Sequence, residues 1–177
     1  WSSDVCSSDL TLEILKDSQN RVKSMSFIHE DLYQNKDFSK IDFSSYIKNL
    51  SSNLLYSYHI YDNLVELKLE IDDVKIDLDQ SIPAGLIINE LMSNSLKYAF
   101  QDGRDGYIKI GLKEVEEEVV ILVKDNGVGL AKHVNFENSN TLGLRLVHTL
   151  TDQLDGKLNY KSEKDNGVEF ELRFKKV

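Results

Sequence analysis

One cysteine, one proline and no long apolar run set the first limits on this 177-residue chain. Cys6 has no second cysteine to form an internal disulfide, and no Cys or His pair stands at zinc-ligand spacing. A reducing, cytoplasmic setting without structural zinc is therefore expected. No apolar stretch approaches the roughly 20 residues that cross a bilayer, and the first residues lack the basic-then-apolar order of a secretory signal. Membrane attachment is expected only through regions outside this chain. Positive charge is scarce as well: 21 Lys and Arg against 30 Asp and Glu leave a net charge of −9. The basic residues are scattered, so a phosphate backbone would be repelled, and nucleic acid is not an expected partner. The 41% of hydrophobic residues suffices for one core of ordinary domain size with a modest extension beside it.

Residues 1–10 carry Ser-Ser and Ser-Asp pairs and share no period with the helical pattern next to them; we read them as disordered or as an addition foreign to the fold. From Leu12 to Tyr33, the apolar residues Leu12, Leu15, Val22, Met25, Ile28 and Leu32 recur mostly at three, four or seven residues, with Phe27 off the stripe. That is an amphipathic helix long enough to want a partner helix. After a polar break, a second helix is expected over 43–58, with Tyr46, Ile47, Leu50, Leu54 and Leu55 inward.

Beyond Asn63 the period changes to two. Val65, Leu67, Leu69 and Ile71 alternate with charged residues, and Val74, Ile76 and Leu78 alternate again, predicting two strands. A helix is expected from Pro83 to about Phe100, since proline suits a first helical turn. Strands come next at 107–114 and 119–124, then a glycine-bearing loop, a helix over 142–154 closed by Gly156, and a hairpin of 157–162 and 168–174 around Asp165-Asn166-Gly167. Strands neighbouring strands as well as helices argue an α+β two-layer sandwich over a doubly wound sheet.

The chemistry is concentrated in three places. Glu90, Asn94 and Lys97 stand at i, i+4 and i+7 on the helix after Pro83, within an arc of about 60°. A carboxylate, an amide oxygen and an ammonium on one stripe suit a magnesium-bound phosphate. They equally suit a solvated polar face with a charge pair. Asp125-Asn126-Gly127-Val128-Gly129 comes directly after an apolar strand. A carboxylate there can accept from an exocyclic amine, with the glycines letting backbone approach a flat ring; the same letters are also ordinary turn chemistry. Thr141-Leu142-Gly143-Leu144 opens a helix whose first amides could face a phosphate, or serves as a plain N-terminal turn.

Taken together and in this order, the three resemble the nucleotide-binding boxes of the Bergerat (gyrase, chaperone, kinase) ATPase family. Asn89 to Phe100 resembles its N box, Asp125 to Gly129 its first glycine box and Thr141 to Leu144 its second. The resemblance implies a Bergerat fold, a mixed sheet with helices on one face, and ATP and Mg2+ as cofactors. It implies that Asn94 coordinates magnesium, Lys97 contacts phosphate, Asp125 accepts from the adenine amine, and Gly127, Gly129, Gly143 and Leu144 line the pocket and lid. Glu90 matches the position of a water-activating base in other branches; in a kinase, which must avoid hydrolysis, it is assigned to magnesium or water. One departure stands out: many members carry Gly-Thr before the last strand, where this chain has Gly167-Val168.

Arg21 to Gln34, with Ile41-Asp42-Phe43 and Tyr46-Ile47, resembles the second dimerisation helix and linker of the HisKA_2 type of sensor histidine kinase. The 13 residues between Gly129 and Gly143 resemble its short lid. The implied division is 11–40 as a partial dimerisation helix and linker and 41–177 as the ATP-binding domain. The implied function is transfer of the ATP γ-phosphoryl group to a histidine for relay to an aspartate of a response regulator receiver domain, by a homodimer in the full-length protein. Such an acceptor precedes Arg-Val-Lys, whereas here Asn20 precedes Arg21-Val22-Lys23. A fragment or a degenerate acceptor would explain that. His29, His59, His133 and His148 read as packing, helix-terminal or exposed residues rather than acceptors. Two rivals remain: an anti-sigma-factor serine kinase, whose target is a serine on a partner protein, and a non-catalytic module gated by ATP.

Overall fold

The computed structural model describes residues 15–26, 41–58, 65–101, 103–130 and 141–177. The expectations for residues 1–10, His29, His59, His133 and most of the lid therefore fall outside the described residues. The elements run α1 (helical residues 15–26), β1 (Ile41–Asp42), α2 (Phe43–Ser57), β2 (Val65–Ile71), β3 (Lys75–Ile76), α3 (Leu78–Tyr98), β4 (Gly106–Val115), β5 (Glu118–Asp125), α4 (Leu142–Gln153), β6 (Lys157–Glu163) and β7 (Gly167–Lys175).

Five strands form one mixed sheet in the order β2-β4-β5-β7-β6. β2 and β4 pair in parallel across the α3 crossover, as a parallel pair requires, and the remaining pairs are antiparallel. Alternation decides the buried face: Ile108, Ile110 and Leu112 of β4, Val119, Ile121 and Val123 of β5, and Phe170, Leu172 and Phe174 of β7 all lie in the core with Ile87, Ile88, Leu91 and Met92 of α3. The result is the expected two-layer α+β sandwich, and its sheet is mixed, as expected.

α3 begins five residues before the expected start at Pro83, which lies inside the helix. Asp77 is the cause. Its Oδ1 accepts the Gln80 N–H at 2.8 Å, satisfying one of the free amides of the first turn. The start therefore lies at an N-cap aspartate, and Leu78, expected in a strand, becomes the first helical residue. The strand expected over 74–78 shrinks to Lys75–Ile76, which pairs with Ile41–Asp42. At the end of α4 the left-handed residue is Asp155 (φ 48°), not Gly156. Gly156 N–H donates to Thr151 O and Asp155 N–H to Asp152 O, the paired bonds of a Schellman ending.

Asp42 caps α2 in the same manner as Asp77 caps α3: its carboxylate accepts Ser45 N–H at 3.0 Å and Ser45 Oγ–H at 2.7 Å. Burial works to raise its pKa, but the bonds from Ser45 outweigh it and hold the carboxyl below the ordinary aspartate value. A depressed value means that the cap's contribution is present above the unfolded-state pKa and lost as pH falls through the folded one. Asp42→Ala is expected to lower stability by about 1 kcal/mol at neutral pH. In urea titrations, the gap between variant and wild type should close on acidification below the ordinary aspartate range.

Candidate functional site

α3 carries the first set of site residues, and it is not a solvated amphipathic helix. Glu90 is only 5% exposed and Asn89 1%, on a helix buried along most of its length; Asn94 and Lys97 are half-buried. The stripe thus faces protein on several sides, and the solvated-face alternative is removed. Burying a carboxylate requires compensation. Glu90 finds it in Arg21 of α1, whose Nε and a terminal nitrogen donate to its two oxygens at 2.6 and 2.9 Å, and in Asn89 Nδ2 at 3.3 Å. The same bond holds the Arg21 guanidinium above its ordinary pKa against the opposing effect of burial.

Lys97, two turns along, has an ion pair with Asp17 of α1, at 2.6 and 2.7 Å to its two oxygens. Tyr58 Oη–H donates to Asp17 Oδ1 at 3.2 Å, and burial raises its pKa above the ordinary tyrosine value. Lys16 Nζ lies 4.4 Å from the centroid of the Tyr58 ring. Nothing in the sequence flagged Asp17 and Arg21 as partners of this stripe. The apolar periodicity of α1 directs attention to its other side, yet Leu15 (55%) and Val22 (66%) are exposed while Asn20 and Ser24 are buried.

Asp125 ends β5 and is 3% exposed. Its Oδ1 accepts the Gly127 and Val168 N–H groups at 3.0 and 3.3 Å, and its Oδ2 accepts Ser95 Oγ–H at 2.8 Å. A carboxylate has about four acceptor positions, so three donors leave capacity on Oδ2. Ser95 is the residue that sequence reasoning missed; it stands one position after Asn94 on α3. The hydroxyl that position 168 lacks is thus present at Asp125, supplied from a different element. The donors also fasten the end of β5 to β7 through Val168 and to α3 through Ser95, and Gly127 N–H closes the turn on the same carboxylate.

The glycines are placed by close approach. A Cβ on Gly127 would overlap the backbone carbonyl of Ala99, to which Val128 N–H donates at 3.1 Å, so the loop after β5 lies against the end of α3. On Gly129 it would stand 2.5 Å from Glu163 O, and on Gly143 2.6 Å from Glu90 Oε2. Gly143 therefore brings the first turn of α4 against Glu90, where unpaired helix amides favour a negative charge. Leu144 is buried beside it, and His148 is half-buried farther along α4. All three sequence segments converge on α3: the first through Glu90, Asn94 and Lys97, the second through Ser95 and Ala99, the third through Glu90. Among the described residues, no three His, Cys, Asp or Glu side chains form a cation cage, and no helix is long and apolar enough to cross a membrane.

Comparison with known proteins agrees with this arrangement. Residues 79–177 match the family described as histidine kinase-, DNA gyrase B-, and HSP90-like ATPase, and residues 2–58 match a histidine kinase family, HisKA_2. The sensor histidine kinase PdtaS of Mycobacterium tuberculosis is 26% identical over 163 residues, 91% of this chain and 32% of that protein. The chain therefore spans about a third of the length of that relative. An anti-sigma F factor of Clostridium novyi is 24% identical over 169 residues, 89% of this chain and 96% of its own. The histidine kinase domain of the Erythrobacter litoralis EL346 blue-light activated histidine kinase superposes with a TM-score of 0.82 at 18% identity, covering 90% of this chain and 74% of that one.

Proposed function

This chain belongs to the histidine kinase-, DNA gyrase B-, and HSP90-like ATPase family, and we propose that within it the chain is the ATP-binding half of a two-component sensor histidine kinase. The observation that carries the reading is Asp125: a buried carboxylate with acceptor capacity left on Oδ2, held by Ser95 in the residues beside Asn94 and Lys97. Asp125 reads the adenine amine, with Ser95 as the positioning residue that orients it. Gly127 and Gly129 let the loop that shapes the pocket pack against Ala99 and Glu163, Lys97 takes phosphate, and Gly143 and Leu144 open the helix on the lid side.

Magnesium, which the family implies, fits the donor set. Mg2+ keeps several waters and takes one or two protein oxygens together with phosphate oxygens, so the Asn94 amide suffices where the described residues form no acidic cage. When bound, it would draw negative charge from the phosphates. Glu90 is paired with Arg21 in this conformation. Phosphoryl transfer of this kind depends mainly on positioning and charge neutralisation.

The division into residues 11–40 as a partial dimerisation helix and linker and 41–177 as the ATP-binding domain belongs to the same reading. So do a cytoplasmic location, a homodimeric full-length kinase, and relay from a phosphohistidine to a response regulator. No phosphohistidine is expected on this chain, because residues 21–34 resemble the second dimerisation helix, whereas the acceptor histidine of such kinases stands on the first. The likeness to an anti-sigma F factor along most of both chains supports a second reading, a serine kinase acting on a partner protein. The histidine kinase match over residues 2–58 favours the first.

Calorimetry tests the nucleotide assignment. Wild type should bind ATP more tightly with Mg2+ than with a chelator, and Asn94→Ala should lose that difference. Absence of heat with ATP under both conditions would sink the assignment, whereas equal gains from Mg2+ in the two proteins would remove Asn94 from the metal.

A further inference from the structure

We infer that α1 is a latch on the nucleotide site: its docking and the binding of Mg2+–ATP compete for one polar stripe of α3. The inference rests on the nucleotide reading of Asp125, Asn94 and Lys97 and adds a means of regulating that site. Asp17 and Arg21 stand one turn apart on α1, and Lys97 and Glu90 two turns apart on α3. The earlier residue of α1 meets the later residue of α3, so the two helices run antiparallel through the contact.

Both partners of each pair are largely shielded. Side-chain exposure is 18% and 7% for Arg21 and Glu90, and 13% and 26% for Lys97 and Asp17. Shielded charge pairs are costly to break one partner at a time, because the remaining charge is left unpaired. A phosphate oxygen at Lys97 competes with the Asp17 carboxylate, which already engages the ammonium through both oxygens and would be repelled by the phosphate charge. Once Asp17 leaves, the Lys16 and Tyr58 contacts and the Arg21 pair lose the helix geometry that holds them together. The ligand itself thus provides the replacement charge at one end of the latch.

The orientation of α1 makes this a switch rather than ordinary packing. Asn20, Ser24, Asp17 and Arg21 are turned toward the domain, and the apolar residues Leu15, Val22 and Met25 are exposed on the other side. A helix held by its polar side gains little from apolar burial and is released by anything that competes for its charges. The apparent ATP affinity is then reduced by the fraction of molecules in which α1 is docked.

The test uses the full 177-residue chain with Mg2+–ATP in calorimetry. Arg21→Gln is the informative variant, because it does not touch Lys97. If α1 acts as a unit, it should tighten ATP binding about threefold, and Asp17→Asn with Arg21→Gln about tenfold, with Val22→Ala unchanged. Hydrogen exchange supplies the reciprocal measurement: saturating Mg2+–ATP should raise exchange at amides 15–26 in wild type. Tightening by Asp17→Asn alone, with Arg21→Gln unchanged, would reduce the latch to a local charge effect and overturn it. Unchanged affinity in all variants that bind, or added protection of α1 by ATP, would overturn it also. No heat from any of the proteins would sink the nucleotide reading and the latch together, whereas the other failures leave that reading standing.

Discussion

Asp125→Asn is expected to weaken ATP binding at least about 100-fold, or roughly 2.7 kcal/mol. Two losses combine. The adenine amine loses a charged acceptor, a bond of about 1.5–3 kcal/mol. The carboxamide also brings its own NH2 into a position surrounded by donors. Gly127 N–H and Val168 N–H point at Oδ1, so the amide oxygen is held there and the NH2 takes the Oδ2 side, where Ser95 Oγ can turn to accept from it but the adenine amine meets a donor. Replacing charge-assisted bonds by neutral ones at a buried position should also lower folding stability by about 1–3 kcal/mol. Binding must therefore be measured where urea titration shows the variant fully folded.

A ligand comparison isolates the amine from the fold. Purine ribonucleoside triphosphate lacks the exocyclic amine but keeps the ring and the phosphates. Wild type should bind it far more weakly than ATP, and Asp125→Asn should bind the two about equally. If the variant still prefers ATP by as much as wild type does, Asp125 does not read the amine. The carboxylate would then be a structural fastener of the loop alone.

Gly167→Ala is the substitution expected to damage the fold most, by about 3–4 kcal/mol. Gly167 has φ 85°, in the left-handed region that costs an L-residue about 1–2 kcal/mol. A Cβ there would also overlap the backbone carbonyl of Asp125 and approach Asn126 Cα. These atoms belong to β5 and the loop after it, which are held by strand pairing and by the carboxylate bonds, so the overlap cannot be relieved by a rotamer change. Gly103 provides the comparison. It has φ 72°, and an added Cβ would meet nothing within 4 Å. Gly103→Ala should cost only the backbone conformation, about 1 kcal/mol, and the difference between the two urea midpoints measures the overlap itself. Equal losses would mean that the hairpin shifts away from Asp125 at little cost.

The sequence by itself determined a good deal of this protein. Alternation in 107–114 and 168–174 fixed two strands and their inward faces, because a period of two admits only one buried side, while the continuous apolar run at 119–123 marked the central strand between them without choosing a face. The spacing of Glu90, Asn94 and Lys97 fixed a common stripe, because helix geometry is local. Local signals failed at the start of α3, expected at Pro83 but set in the fold by the capping aspartate at position 77. Tertiary structure alone decided what each site residue touches. The hydroxyl at Asp125 comes from Ser95, 30 residues away, and the partners of Glu90 and Lys97 come from α1, 69 and 80 residues away. Periodicity records which side of an element prefers water, and by that measure the apolar side of α1 should face the domain. The shielded ion pairs at Asp17 and Arg21 set the opposite orientation, because their energy depends on partners that only the folded chain brings within reach.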